Sequence, residues 1–244
     1  MQQPVAPTEG FALFLDIDGT LLELAPTPES VVVDPALIQL LAKINLLTDG
    51  ALALVSGRQI AEIDSLFSPL TLCAAGLHGF ERRDSSGKRH DRSAPPGTVL
   101  AAVRRSLGDL AAVHPGLRVE DKQFALALHY RLAPHLEDRV AAEMTRLAQQ
   151  VRPVFELQMG KRVAELRPAG ANKGAAVRQF MAETPFAGRS PIYIGDDLTD
   201  ESAFEQVNAL GGLSIAVGIP GATAAVAALA DVTAVRAWLA NLAS

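Results

Sequence analysis

Cysteine is nearly absent from this chain of 244 residues: Cys73 stands alone, which rules out an internal disulfide. It sits in the apolar run 70–75 and is expected to be a small buried hydrophobe. Long apolar runs are missing as well, and none reaches the length needed to span a bilayer. The opening Met1-Gln-Gln-Pro-Val-Ala-Pro has neither the basic segment nor the apolar core of a signal peptide. These absences set cytoplasmic residence and no membrane partner as the expectation. Positive charge is in deficit, with a formal net charge of −5. A non-specific nucleic-acid binder would need a basic stripe, so no nucleic-acid partner is expected. An anionic small molecule stays allowed, provided the positive potential that holds it is local: a metal ion, a few Lys and Arg, and helix N-termini. Internal repeats and low-complexity segments are lacking too.

In bulk the chain is 49% hydrophobic and 20% charged, an ordinary globular composition. Its length allows one large domain, or a domain with a smaller one inserted. The organising stretch is Phe11-Ala-Leu-Phe-Leu-Asp16-Ile-Asp18-Gly19-Thr20. A short, continuous apolar run reads as a strand buried on both faces of a parallel sheet. Ligands of open α/β sheets bind beyond the carboxyl ends of the strands, where Asp16 and Asp18 fall.

Downstream, Asp34-Pro35 supplies an N-cap and a favoured first helical residue. Leu37, Leu40, Leu41, Ile44 and Leu47 follow on one helical face, and Gly50 closes the helix. Strands are expected over 51–55 and 70–75, with a short helix over 59–67 between them. Ser56-Gly57-Arg58 and Gly76-Leu-His78-Gly79 stand at the two strand ends. A polar, turn-rich stretch over 84–97 then marks a domain boundary. Beyond it the expected order is helix 98–113, strands 117–120 and 124–131, helix 135–151, and strands 154–158 and 162–166. Phe124, Leu126, Leu128 and Tyr130 alternate with Ala125, Ala127, His129 and Arg131, so one face of that sheet is apolar and the other is open. The parallel pattern resumes with a helix opened by Gly170-Ala-Asn172-Lys173-Gly174 and a strand over 191–195. Asp196-Asp197-Leu-Thr-Asp200-Glu201 lies at the end of that strand. The expected fold is therefore α/β, a Rossmann-like parallel-sheet core over 1–94 and 168–244 with an inserted α+β cap over 95–167.

Four polar clusters thus gather at strand ends or helix starts of one sheet: Asp16/Asp18, Ser56, Lys173 and Asp196/Asp197/Asp200. Carboxylates converging without compensation would raise one another's pKa, and a divalent cation resolves this. Hard oxygen ligands, few in number, suit Mg²⁺, which takes a substrate phosphate as a further ligand. A serine, a lysine and a helix N-terminus suit the remaining phosphate oxygens. An aspartate can be the nucleophile of phosphoryl transfer, and a second acid two residues on can move the proton.

Asp16-Ile-Asp18-Gly19-Thr20, Ser56, Lys173 and Gly195-Asp196-Asp197-Leu-Thr-Asp200 resemble, in order and over the whole chain, the four motifs of the haloacid dehalogenase superfamily of phosphotransferases. The inserted module is similar to the αββ-type cap of its sugar-phosphatase branch. Ser56-Gly57-Arg58, Gly76-Leu-His78-Gly79-Phe-Glu81, Val119-Glu120-Asp121-Lys122, His129-Tyr130-Arg131, Glu165-Leu-Arg167-Pro168 and Asn172-Lys173-Gly174 resemble the trehalose-6-phosphate phosphatase family within that branch.

The resemblance implies a Mg²⁺-dependent phosphatase acting on trehalose 6-phosphate through an aspartyl-phosphate. Asp16 would be nucleophile and metal ligand, and Asp18 general acid/base, with its backbone carbonyl on the metal. Asp196 would be the third protein ligand, while Asp197 and Asp200 hold metal waters or Lys173. Ser56, Gly57 and Lys173 would bind phosphoryl oxygens. Arg58 and Asn172 would bind substrate, and Arg131 would face the core from the cap. Glu120, Lys122 and Glu165 would hydrogen-bond the sugar ring remote from the phosphate, whose alternating donors and acceptors charged side chains can match. The cap is expected to close over the core as a lid. His78 and His129 are expected to be structural. Open alternatives are a sister phosphatase for sucrose 6-phosphate or a glucosyl compatible-solute phosphate, a phosphomutase, and a non-catalytic sugar-phosphate-binding regulator. A monomer with a small-molecule sugar phosphate as its partner is the expectation.

Overall fold

The computed structural model describes residues 4–5, 10–25, 31–90, 97–122, 124–218 and 221–243. The chain divides into two compact units, Met1–His90 with Asn172–Ser244, and Asp91–Ala171. The boundary expected at 94/95 falls within 91–96, outside the described residues, as does most of the opening heptapeptide. The chain re-enters the first unit at 171/172 rather than 167/168. The turn after Pro168 stays with the second unit, where the Ala171 N–H donates to the Pro168 carbonyl at 3.3 Å. Among the described residues no helix is long and apolar enough to cross a membrane.

In chain order the first unit begins with β1 (Phe11–Leu15), α1 (Pro35–Leu47), β2 (Leu52–Val55), α2 (Ile60–Phe67), β3 (Cys73–Gly76) and β4 (Glu81–Arg83). The second unit holds α3 (Ala101–Val113), β5 (Arg118–Asp121), β6 (Leu126–His129), α4 (Glu137–Val151), β7 (Phe155–Gly160) and β8 (Val163–Pro168). The first unit resumes with α5 (Lys173–Met181), β9 (Ser190–Gly195), α6 (Glu201–Ala209), β10 (Leu213–Val217), β11 (Ala227–Leu229) and α7 (Val232–Leu242).

The first unit's described strands form one sheet in the order β11-β10-β9-β1-β2-β3-β4, parallel except for the β3/β4 pair. Every residue of β1 is buried. Phe11, Leu13 and Leu15 pack with α1, α2 and α7 through Leu41, Ile63 and Leu239, whereas Ala12 and Phe14 pack with α5 and α6 through Phe180 and Phe204. Burial on both faces is what a continuous apolar run requires. From β1 the chain moves outward to β2 on one side, and after the insertion it returns on the other side at β9. The strand order therefore reverses at β1/β9, the position where such sheets open a ligand crevice. α1 starts as the sequence indicates: Asp34 accepts from the Leu37 N–H at 3.0 Å, and Pro35 occupies the first turn.

β4 departs from the sequence reading, in which the strand–helix alternation runs straight into a polar loop. It is an antiparallel edge strand of charged residues. Arg83 pairs with Asp64 at 2.7 Å and with the Leu72 carbonyl, and Arg82 pairs with Glu183. Buried charges of this kind are held by partners that no local pattern displays.

The second unit is a four-stranded antiparallel sheet, β5-β6-β8-β7, with α3 and α4 supplying its apolar cover. The helix expected over 135–151 begins with a 3₁₀ turn, Pro134–Leu136, ahead of α4. Leu126, Leu128, Leu166, Val140, Met144 and Leu147 form the core of this unit. Register aligns Glu120, Ala127, Glu165 and Gln158 in one row across the sheet, on the face opposite the leucines.

Candidate active site

Asp16 follows the last residue of β1, and its N–H donates to the Ile194 carbonyl of β9 at 3.0 Å, which fixes where the side chain leaves the sheet. Lys173 opens α5, whose N-cap is Asn172; the Asn172 side chain accepts from the Ala175 N–H at 2.7 Å. The structure therefore uses the carboxamide oxygen of Asn172 to start the helix that carries the lysine. The Lys173 ammonium, 2% exposed, bridges Asp16 Oδ1 and Asp200 Oδ1 at 2.7 Å each. Among the described residues, the other Asp16 oxygen has only a long contact, 3.5 Å, from the Thr20 hydroxyl.

Asp16, Asp196 and Asp200 each offer a carboxylate oxygen within 4.8 Å of the others. Three carboxylates facing one ammonium leave a buried excess of negative charge. Burial pushes the Asp16 carboxyl well above its ordinary value; Lys173 opposes the shift, and Asp200 and Asp196 reinforce it. Burial disfavours the Lys173 charge, but Asp16 and Asp200 outweigh that and hold its pKa above the usual lysine value. A divalent cation neutralises this excess, so the donor set fits one. Gly19, at φ +86°, leaves the room this needs: a Cβ there would stand 2.2 Å from Asp196 Oδ2.

Asp200 is not equivalent to the other two. Its Oδ1 accepts from Lys173 at 2.7 Å and from the Tyr193 hydroxyl at 2.6 Å, and its Oδ2 accepts from the N–H groups of Asp196 and Asp197 at 3.0 and 2.9 Å. A carboxylate has about four lone-pair sites, and these donors fill them. Of the three clustered acids, Asp200 is therefore the one whose carboxylate is fully committed to protein donors. Asp197, expected among the metal residues, has its carboxylate accepting from the Leu198 N–H at 2.6 Å, capping the short turn that leads into α6.

Asp18 is half-buried, with its carboxylate gripped by Arg58 through Nε and one terminal nitrogen at 2.6 Å each. Arg58, expected to bind substrate, lies on Asp18 in a bidentate fork, the strongest geometry for this pair. The loop carrying it is braced from below. The Ser56 hydroxyl accepts from the Arg58 N–H at 3.2 Å, and the N–H groups of Leu77 and His78 donate to the carbonyls of Arg58 and Ser56. Leu77 and His78 both take positive φ there, at 48° and 56°. A Cβ at Gly57 would come within 2.8 Å of the His78 ring, so only glycine fits the serine loop against this histidine.

The second unit has its own polar cluster. Lys122 Nζ lies 3.2 Å from Glu165 and 3.9 Å from Glu120. His129 Nε2 lies 2.7 Å from Glu120, a partner sequence reasoning had not given it. Burial works to raise the Glu120 carboxyl, but the His129 hydrogen bond and the Lys122 charge outweigh it and leave the pKa below the ordinary glutamate value. Arg131 is half-buried in the turn after β6.

An aspartate pair after the central strand, a serine loop, a lysine at a helix start and an acidic loop after the neighbouring strand make this a haloacid-dehalogenase-type phosphotransferase site on the matching α/β core. The chain belongs to the trehalose-phosphatase family, whose model matches residues 14–229. It is 45% identical over 229 residues to the trehalose-6-phosphate phosphatase of Escherichia coli K12, covering 94% of this chain and 85% of that one. Identity is also 45%, over 236 residues, to a Sinorhizobium fredii protein named "Probable trehalose-phosphate phosphatase", covering 96% and 88%. The C-terminal domain of Candida albicans trehalose-6-phosphate phosphatase superposes with a TM-score of 0.86 over 96% of this chain and 92% of that one; at 24% identity this is a likeness of fold.

Proposed function

We propose that the protein is a Mg²⁺-dependent phosphatase that hydrolyses trehalose 6-phosphate to trehalose and phosphate, as a step of trehalose biosynthesis. The observation that carries the reading is the buried Asp16 carboxylate, with one oxygen anchored by Lys173 and the other left almost uncommitted. Asp16, Asp196 and the Asp18 backbone carbonyl would hold the cation. When bound, Mg²⁺ supplies charge neutralisation to the carboxylates and to the phosphoryl oxygens.

The chain's own residues perform the rest. Lys173, the Ser56 hydroxyl and the Gly57 loop bind phosphoryl oxygens. The free Asp16 oxygen attacks phosphorus, the bond from phosphorus to the sugar oxygen breaks, and Asp18 gives that oxygen a proton. Water then attacks the aspartyl-phosphate and passes its proton to Asp18, which releases phosphate and restores Asp16. Arg58 fixes where Asp18 rests between these steps. Glu120 and Glu165, on one face of the second unit's sheet, and Lys122, which reaches Glu165 from the hairpin after β5, read the sugar hydroxyls, with Arg131 and Asn172 as further contacts. The protein acts in the cytoplasm as a monomer.

Phosphate release over a panel of sugar phosphates tests this reading. Trehalose 6-phosphate should be the fastest substrate, and EDTA should stop release. Preference for sucrose 6-phosphate or a glucosyl-solute phosphate would overturn the sugar assignment. An isomerised sugar phosphate in place of free phosphate would overturn the reaction, and indifference to EDTA would overturn the metal.

A further inference from the structure

Tyr193 stands in β9, fully buried, with its ring edge-on to Phe204 at 5.7 Å on the α5/α6 side of the sheet. Burial, joined by the charges of Asp200 and Asp16, pushes its phenol well above the ordinary value, so it is a permanent donor. That donor is 2.6 Å from Asp200 Oδ1. Packing alone would be served equally by phenylalanine, as Phe14, Phe180 and Phe186 show in the same cluster. The hydroxyl therefore calls for a role of its own.

Asp200 lies within 4.8 Å of both Asp16 and Asp196, close enough to be a third carboxylate ligand. Lys173 and two backbone N–H groups supply three of its donors, and Tyr193 supplies the fourth. We propose that Tyr193 withholds Asp200 from the cation: the phenol fills the acceptor site through which Asp200 would join Asp16 and Asp196. The metal then meets two side-chain carboxylates instead of three. Mg²⁺ is small and keeps several waters, so a two-carboxylate site suits it. Ca²⁺ takes six to eight oxygens, and its affinity climbs with ligand charge. Tyr193 is thus a positioning residue that sets metal preference by acting through Asp200. The inference rests on the metal reading given above.

Calorimetric titration with Mg²⁺ and with Ca²⁺ tests it on the wild type, on Tyr193→Phe and on the double variant Tyr193→Phe/Asp200→Asn. Tyr193→Phe keeps the ring and its Phe204 contact, and near-ultraviolet circular dichroism verifies the packing. This variant should gain about tenfold in Ca²⁺ affinity relative to Mg²⁺, a small part of the range over which ligand charge count and site rigidity tune Ca²⁺ sites, and the double variant should lose that gain. An unchanged Ca²⁺/Mg²⁺ ratio in Tyr193→Phe, or a gain that survives the loss of Asp200, overturns the proposal. The wild type is decisive without any variant: it should bind Mg²⁺ at least as tightly as Ca²⁺, and tighter Ca²⁺ overturns the proposal. A wild type that binds neither ion overturns the metal reading itself, and this inference with it.

Discussion

Replacing Lys173 by methionine tests the electrostatic balance of the site. The lysine is 2% exposed and 2.7 Å from both Asp16 and Asp200. Methionine keeps the apolar stem and removes the ammonium, which leaves buried acids without their cation. Breaking a buried pair by deleting one partner costs about 3–5 kcal/mol. At about 2–4 °C per kcal/mol for a unit of this size, the melting point should fall by roughly 6–20 °C. The assay is thermal unfolding at pH 7 in EDTA, repeated with saturating Mg²⁺, which should recover part of the loss. Asp16 is an acid whose pKa is raised in the fold, chiefly by burial. Stability linked to it is fully present below the ordinary carboxylate value and is lost as pH rises through the raised one. The deficit of the variant should therefore be smaller at pH 5 than at pH 8. A drop under about 2 °C, less than 1 kcal/mol, would refute the claim that Lys173 compensates these acids.

Asp16→Asn should abolish phosphate release while keeping or raising the melting point in EDTA, because it removes a charge that burial disfavours; full activity would sink the nucleophile assignment. Glu165→Ala or Lys122→Ala should cut kcat/KM for trehalose 6-phosphate by about 10–100-fold, the worth of one charged hydrogen bond. Turnover of p-nitrophenyl phosphate should change far less, and equal losses on both substrates would remove these residues from sugar recognition. Gly174→Ala should destabilise the α5/α6 contact by about 1–3 kcal/mol in chemical denaturation, since a Cβ there would stand 2.1 Å from the Ser202 carbonyl. Wild-type stability would refute that packing.

The central strand was legible because burial on both faces writes itself as an unbroken apolar run, and the α/β core with its insertion follows the sequence reading. The open face of the second sheet was legible from the alternation over 124–131, and cross-strand register places Glu120 and Glu165 in one row with Ala127 on it. Lys122 was not, because the hairpin after β5 breaks parity; its N–H donates to the Ala125 carbonyl while its ammonium turns to Glu165. β4 was hidden because Arg82 and Arg83 are buried by partners outside any strand-length window, Glu183 for one and Asp64 and Leu72 for the other. Arg58 and Asp18 lie 40 residues apart, and no local spacing announces a fork between them. Asn172 and Asp197 carried a readable signal, since each stands where a helical turn begins, and each side chain accepts a backbone N–H there. Asp200 owes its saturation to Tyr193 on the preceding strand and Lys173 on another helix, a convergence that only the fold creates.

Acid-quenched turnover of trehalose 6-phosphate, followed by peptide mapping by mass spectrometry, tests the central claim most directly. The account predicts a phosphoryl group on the Asp16 side chain that appears during turnover and is lost in Asp16→Asn. Phosphate release with the phosphoryl group on another residue, or with Asp16→Asn still active, would contradict it.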